Sequence, residues 1–120
     1  MCNEAMDDEA VDYIITELIS GASESIGFLD QAFKASRVGN YTLAEECFDQ
    51  SDAALKIAHD LQTDMIQKQL NGEPTVVSLF MVHAQDHMMN VFLMKQVVRY
   101  LVEIQREINE LKNTKEGGKQ

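Results

Sequence analysis

Two imidazoles and a carboxylate fall within one short segment, Val82-His83-Ala84-Gln85-Asp86-His87-Met88-Met89. On a helix turning about 100° per residue, His83 and His87 lie ~40° apart and His83 and Asp86 ~60° apart. All three therefore share one polar notch. Asp86 stands seven residues from both Leu79 and Leu93, in the middle of an apolar row. A carboxylate buried there must be paired, hydrogen-bonded, metal-bound or neutralised.

Four chemistries compete for the notch. A His pair at i and i+4 can bind a transition metal on one helical face, although no second cluster of ligands with suitable spacing stands nearby. A His–Asp pair could support hydrolysis, but no nucleophile, bound metal or substrate pocket is signalled. The histidines could be inert helix residues, with Asp86 paired to a basic neighbour. Finally, one imidazole could itself be the nucleophile and take a phosphoryl group at a ring nitrogen. A carrier of that kind needs an accessible nitrogen, a neighbour that orients the ring and docking surface for its partners. It needs no small-substrate pocket and no phosphate-binding glycine loop. Phe80, Met81, Met88 and Met89 surround the notch as adaptable docking surface or as core, with core the expectation for Met89.

Three helices must position these groups. Val11, Ile15, Leu18, Ala22, Ile26, Leu29 and Phe33 recur at spacings of three and four, which predicts a helix over 8–37. Gly21 and Gly27 inside it mark close contact or local irregularity. Gly39 suits a left-handed cap position. Thr42 with Glu45 has the capping-box pattern for a second helix over 42–70, whose face runs through Ala44, Cys47, Phe48, Ser51, Leu55, Ala58, Leu61, Met65 and Ile66. Asn71-Gly72-Glu73-Pro74 breaks the chain, and a third helix is expected over 75–112. Residues 113–120 read as a disordered tail after a single domain spanning 1–112.

Short connections make successive long helices antiparallel neighbours, so the fold class is all-α, an up-down-up three-helix bundle. The third helix carries two apolar stripes. One holds Leu79, Val82, Met89, Leu93, Ile104, Ile108 and Leu111; the other holds Phe80, Ala84, Val91, Met94, Val98 and Val102. A helix apolar on two sides buries both, and three helices leave the second side only another chain. An oligomer is expected.

The 120 residues suit a single domain, with 45% apolar and 25% charged residues. A formal charge of −10 provides no basic footprint for nucleic acid. Acids open the first helix and bases close the last, complementing the helix dipoles. Cys2 belongs to a polar, frayed N-terminal stretch and Cys47 to the core, and both fit a reducing cytosol. No basic stretch precedes an apolar run near the N-terminus, so no signal peptide is expected. No run approaches the roughly 18 apolar residues of a membrane span, and a cytoplasmic location is expected.

The segment Ser78-Leu79-Phe80-Met81-Val82-His83-Ala84-Gln85-Asp86-His87-Met88-Met89 resembles the signature of the lactose/cellobiose-type enzyme IIA proteins of the sugar phosphotransferase system. Ala58-His59-Asp60-Leu61-Gln62-Thr63 is similar to that family's Ala-His-x-x-Gln-Thr segment, and Gly39-Asn40-Tyr41 with Ala44 to its first interhelical turn. The likeness spans about Ala10 to Leu111, and the combination of segments is more specific than either alone. It implies a homotrimer of three-helix subunits that carries phosphate for uptake of a β-linked disaccharide. His83 would take phosphate from the histidine phosphocarrier protein and pass it to a cysteine of enzyme IIB, the partner of the membrane permease enzyme IIC. His87 would assist, and Gln85 would give hydrogen-bonding support. Asp86 would be the metal ligand, three copies meeting at the trimer axis around Mg2+ or a similar divalent cation. His59 matches as either a buried structural or a functional histidine. Ala84 stands where the lactose branch has Gly, a slight tilt towards cellobiose or chitobiose. The alternatives are a non-catalytic helical adaptor or a small metal-binding helical protein.

Overall fold

The computed structural model describes residues 8–75 and 77–117, so Cys2 and residues 118–120 lie outside the described part. Three helices follow one another: α1, Asp8–Arg37; α2, Tyr41–Leu70; α3, Leu79–Gly117. The expected up-down-up bundle is what the chain forms.

Helix boundaries are set by caps. Gly39 adopts φ +79°, and the amides of Gly39 and Asn40 close back onto the carbonyls of Ser36 and Ala35. This is the left-handed turn that a glycine permits without steric cost. The N-cap of α2 is Asn40, whose Oδ1 accepts from the Leu43 amide at 3.2 Å. Thr42 is therefore already inside the helix, and the expected Thr42–Glu45 box is not what starts it. At α3 the cap is Ser78: its Oγ accepts from the Met81 amide at 3.1 Å. The helix thus starts four residues later than the sequence reading placed it. Proline is well suited to the first turn of a helix, but here it belongs to the connection, and the helix waits for a hydroxyl to satisfy its first donors. At the other end α3 continues to Gly117 rather than stopping at 112.

The bundle is asymmetric. α1 lies against both other helices, whereas α2 and α3 meet mainly through long side chains. Because α1 is shared, its buried face is wider than one stripe and includes Gly21, Ala22, Ser25, Ala32 and Ser36. Ser25 and Ser51 hydrogen-bond across the α1–α2 seam, which lets two buried hydroxyls satisfy each other. The core has one cluster around Leu18, Leu55, Met81, Ala84, Met88 and Val91. A second lies around Leu29, Cys47, Phe48 and Val98. Burial, with a smaller contribution from the neighbouring Glu46, pushes the Cys47 thiol up, so it stays protonated and acts as a small apolar side chain.

Of the two apolar stripes on α3, the second faces inward through Ala84, Val91 and Val98, while Phe80 and Met94 at its margin are exposed. Among the described residues nothing covers the first stripe. Leu79 is 85% exposed, Leu93 65% and Leu111 70%. Met81 and Met88 are core, and Met89 is 56% exposed, the reverse of the expectation for Met89. Period alone cannot say which of two apolar rows a helix turns inward.

Candidate functional site

His83 and His87 stand one turn apart on α3, their Nε2 atoms 3.1 Å from each other. The rings meet edge to face, with centroids 4.5 Å apart and an interplanar angle of 85°. A contact of that kind needs an Nε2–H on one ring and a lone pair on the other. His83 is exposed and His87 half-buried. Each is followed at once by a fully buried residue, Ala84 and Met88, so the backbone that carries the pair is clamped by the core.

Asp86 lies beside them on the outer face and is exposed. Val82 and Met89, each more than half exposed, flank it along the apolar row. It forms no ion pair with a basic side chain among the described residues. The apolar row is real, but within one chain the carboxylate is not buried in it.

Gln85 does not join this group. Residues two apart on a helix point to nearly opposite sides, and Gln85 faces α2. There its Oε1 accepts from Gln62 Nε2 at 2.7 Å, while its own Nε2 approaches the sulfurs of Met65 and Met81 at 3.9 and 3.8 Å. Gln62 is buried and also reaches the Met89 sulfur at 3.9 Å. The hydrogen-bonding support expected of Gln85 is given to the α2–α3 contact, not to an imidazole of its own chain. From the sequence Gln62 enters only as part of the Ala-His-x-x-Gln-Thr match and is given no role, although it carries a signal: a polar residue four after Ala58 and three before Met65, in line with the core.

Below that brace, His59 is exposed rather than buried and meets Phe92 edge-on, with centroids 5.6 Å apart. It lines a groove of about 450 Å³ with Asp52, Lys56, Asp60, Phe92 and Lys95. Lys95 pairs with Asp52 and Lys56 with Asp60 at 3.3 Å, so the groove's charges are internally matched. A second groove of about 250 Å³, between the end of α2 and the start of α3, is lined by Met65, Ile66, Met81, Val82 and Gln85 but by neither His83 nor His87.

One chain does not supply a metal centre of the expected kind. Among the described residues no three His, Cys, Asp or Glu side chains converge, and Asp86 offers a single carboxylate. Oxygen ligands suit Mg2+, so such an ion fits only if copies of the chain bring several Asp86 side chains together. Among the described residues no helix is long and apolar enough to cross a membrane.

Comparison with known proteins gives a consistent answer. Residues 13–106 match the family model described as the lactose/cellobiose-specific IIA subunit of the PTS. The galactose-specific EIIA component of Lactococcus lactis subsp. cremoris is 31% identical over 83% of this chain and 86% of its own length. The lichenan-specific enzyme IIA component of Bacillus subtilis is 31% identical over 86% and 94%, and the N,N'-diacetylchitobiose-specific EIIA component of Escherichia coli is 30% identical over 83% and 86%. The crystal structure of the cellobiose-specific enzyme IIA from Bacillus anthracis superposes with a TM-score of 0.78 at 27% identity, covering 91% of this chain and 98% of that one.

Proposed function

The chain belongs to the lactose/cellobiose-specific IIA family of the phosphotransferase system, and from that premise we propose that it carries a phosphoryl group on His83. The observation that carries the reading is the paired imidazoles, one exposed and one half-buried, with facing nitrogens 3.1 Å apart on a clamped helix. In the forward step a ring nitrogen of His83 attacks the phosphorus of a phosphohistidine on the histidine phosphocarrier protein. The new N–P bond forms as the donor's N–P bond breaks, and the donor imidazole regains its lone pair. His87 then turns its N–H towards a phosphoryl oxygen instead of towards His83, a charge-assisted hydrogen bond. The onward acceptor is a cysteine thiolate of enzyme IIB, which serves the membrane permease enzyme IIC, and the protein works in the cytoplasm. The cargo is a β-linked disaccharide of the cellobiose, chitobiose or lactose type. Relatives named for galactose, lichenan and chitobiose resemble this chain to the same degree, so overall similarity favours no one sugar.

The uncovered row of α3 supports a homotrimer packed along that face, with Leu79, Asp86 and Leu93 near the axis. Three Asp86 carboxylates would then meet, and a hard cation such as Mg2+ would neutralise them there. An adaptor with inert histidines has no support in the family matches.

Incubation with phosphoenolpyruvate, enzyme I and the histidine phosphocarrier should load an acid-labile phosphate onto the wild type and none onto His83→Ala. A wild type that stays unphosphorylated refutes the carrier reading, and full phosphorylation of His83→Ala refutes the residue.

A further inference from the structure

The same two imidazoles have a second chemical capacity, set by the distance between them. A dication that binds imidazole places each nitrogen about 2.0–2.1 Å away. With Nε2 atoms 3.1 Å apart, two such bonds would subtend about 100°, between the octahedral and tetrahedral angles and close to both. Widening to the tetrahedral value needs the nitrogens to part by only about 0.2 Å. Helical spacing sets the two histidine backbones one turn apart, and the buried Ala84 and Met88 beside them hold that spacing. Binding then has to fix only the torsions of the two rings.

We infer that His83 and His87 form a two-nitrogen chelate for a borderline transition-metal dication of the Zn2+ class. In the free pair one Nε2–H bridges to the other nitrogen. On binding, that proton leaves to solvent and the metal takes both lone pairs, with water completing the shell. Imidazole nitrogens select Zn2+ and its neighbours over Mg2+, which prefers oxygen. This site is therefore distinct in ligand type from an oxygen-lined centre at Asp86. Its consequence rests on the phosphocarrier reading: a bound dication occupies the ring nitrogen that would attack phosphorus, so Zn2+ and phosphate exclude each other on His83.

The test is Zn2+ titration of the full chain, followed by calorimetry, in the wild type and in His83→Ala, His87→Ala and His59→Ala. Mg2+ serves as the oxygen-seeking control. The wild type and His59→Ala should saturate at one Zn2+ per chain. Each notch variant should bind more weakly by more than the roughly 10- to 100-fold that loss of an outer-shell partner costs. A wild type that does not bind Zn2+, or a His83→Ala variant that binds as well as the wild type, overturns the chelate. Phosphate transfer from pre-phosphorylated phosphocarrier, with enzyme I removed, should stop when Zn2+ is stoichiometric and resume on adding EDTA. Transfer that proceeds at full rate on the zinc-saturated protein overturns mutual exclusion. A protein that binds Zn2+ through both histidines yet never accepts phosphate without metal upholds the chelate and refutes the carrier reading instead.

Discussion

Two glycines in α1 should respond to the same substitution with opposite signs. A Cβ built on Gly21 would lie 3.1 Å from the Ala54 carbonyl oxygen and 3.1 Å from the Ala58 Cβ, whereas one built on Gly27 meets nothing within 4 Å. Replacing either glycine with alanine gains helix propensity worth about 0.8–1.0 kcal/mol. At Gly27 nothing opposes that gain, so Gly27→Ala should be more stable by close to 1 kcal/mol. At Gly21 neither neighbour can swing aside. One is backbone in the hydrogen-bonded ladder of α2, and the other is a methyl group with no torsion to move it. The helices must part by a few tenths of an ångström, which loosens the Ser25–Ser51 contact one turn along the seam. Overpacking of this kind costs about 1–3 kcal/mol, leaving Gly21→Ala less stable than wild type by ~1 kcal/mol. In a domain of this size, that displaces the melting point by about 3–5 °C. Urea unfolding followed by far-ultraviolet circular dichroism measures both variants, at one protein concentration so that association contributes equally. If Gly21→Ala is stabilised as much as Gly27→Ala, the α1–α2 distance is not held at that contact and the packing argument fails.

The remaining expectations concern the site and the assembly. His83→Ala should accept no phosphate while keeping the wild-type helical content. His87→Ala should accept phosphate about 10- to 100-fold more slowly, the rate equivalent of losing one charge-assisted hydrogen bond. A rapid-quench time course on the two variants checks both. Light scattering should report about three times the 13.5 kDa chain mass, and a clean monomer excludes packing through the outer face of α3. Asp86→Leu should remain trimeric and lose any sensitivity to EDTA, because the substitution continues the row between Leu79 and Leu93. Dissociation of that variant with and without EDTA would show Asp86 to be a favourable contact. Gln62→Leu leaves Gln85 without its 2.7 Å partner, so it should lower stability by about 1–3 kcal/mol. Phosphate acceptance should persist, since the brace faces α2 and the histidines do not. Loss of acceptance in a folded Gln62→Leu protein would refute that separation.

Much of this molecule was legible from spacing. The bounds of α1 and the turn at Gly39 followed from period and glycine chemistry, and so did the pairing of His83 with His87. Other features were hidden for identifiable reasons. Asn40 and Ser78 are short polar residues among several that could cap, and only the chain's path decides between them. Two apolar rows on α3 left the inward one undetermined until α1 was seen to take Ala84, Met88 and Val91. The α1 face was underestimated because Gly21, Ser25 and Ser36 are buried for their size, and a hydrophobic pattern does not register size. The partner of Gln85 was also hidden: helical angle sets it on the far side of α3 from His83, but only the packing of α2 shows that it meets Gln62.

The angular arrangement of α3 also shows how a site this small can be exposed while the backbone beneath it is held by the core. Catalytic groups usually gain order from enclosure, and enclosure would bar the protein partners a carrier must meet. Here order comes from sequence adjacency. Ala84 and Met88 are both fully buried, separated by the same four residues as the histidines and offset from them by one position. The core therefore fixes the rise and twist between the two imidazole-bearing backbones, while the rings stand about 100° away. Gln85 ties the same turn to α2 through Gln62, and Asp86 faces outward with the uncovered row. Four successive residues thus face four directions: solvent, core, brace and outer face. A one-residue insertion within 83–87 would rotate these duties past one another without changing composition. It should abolish phosphate acceptance as completely as His83→Ala does, with every one of these side chains still present.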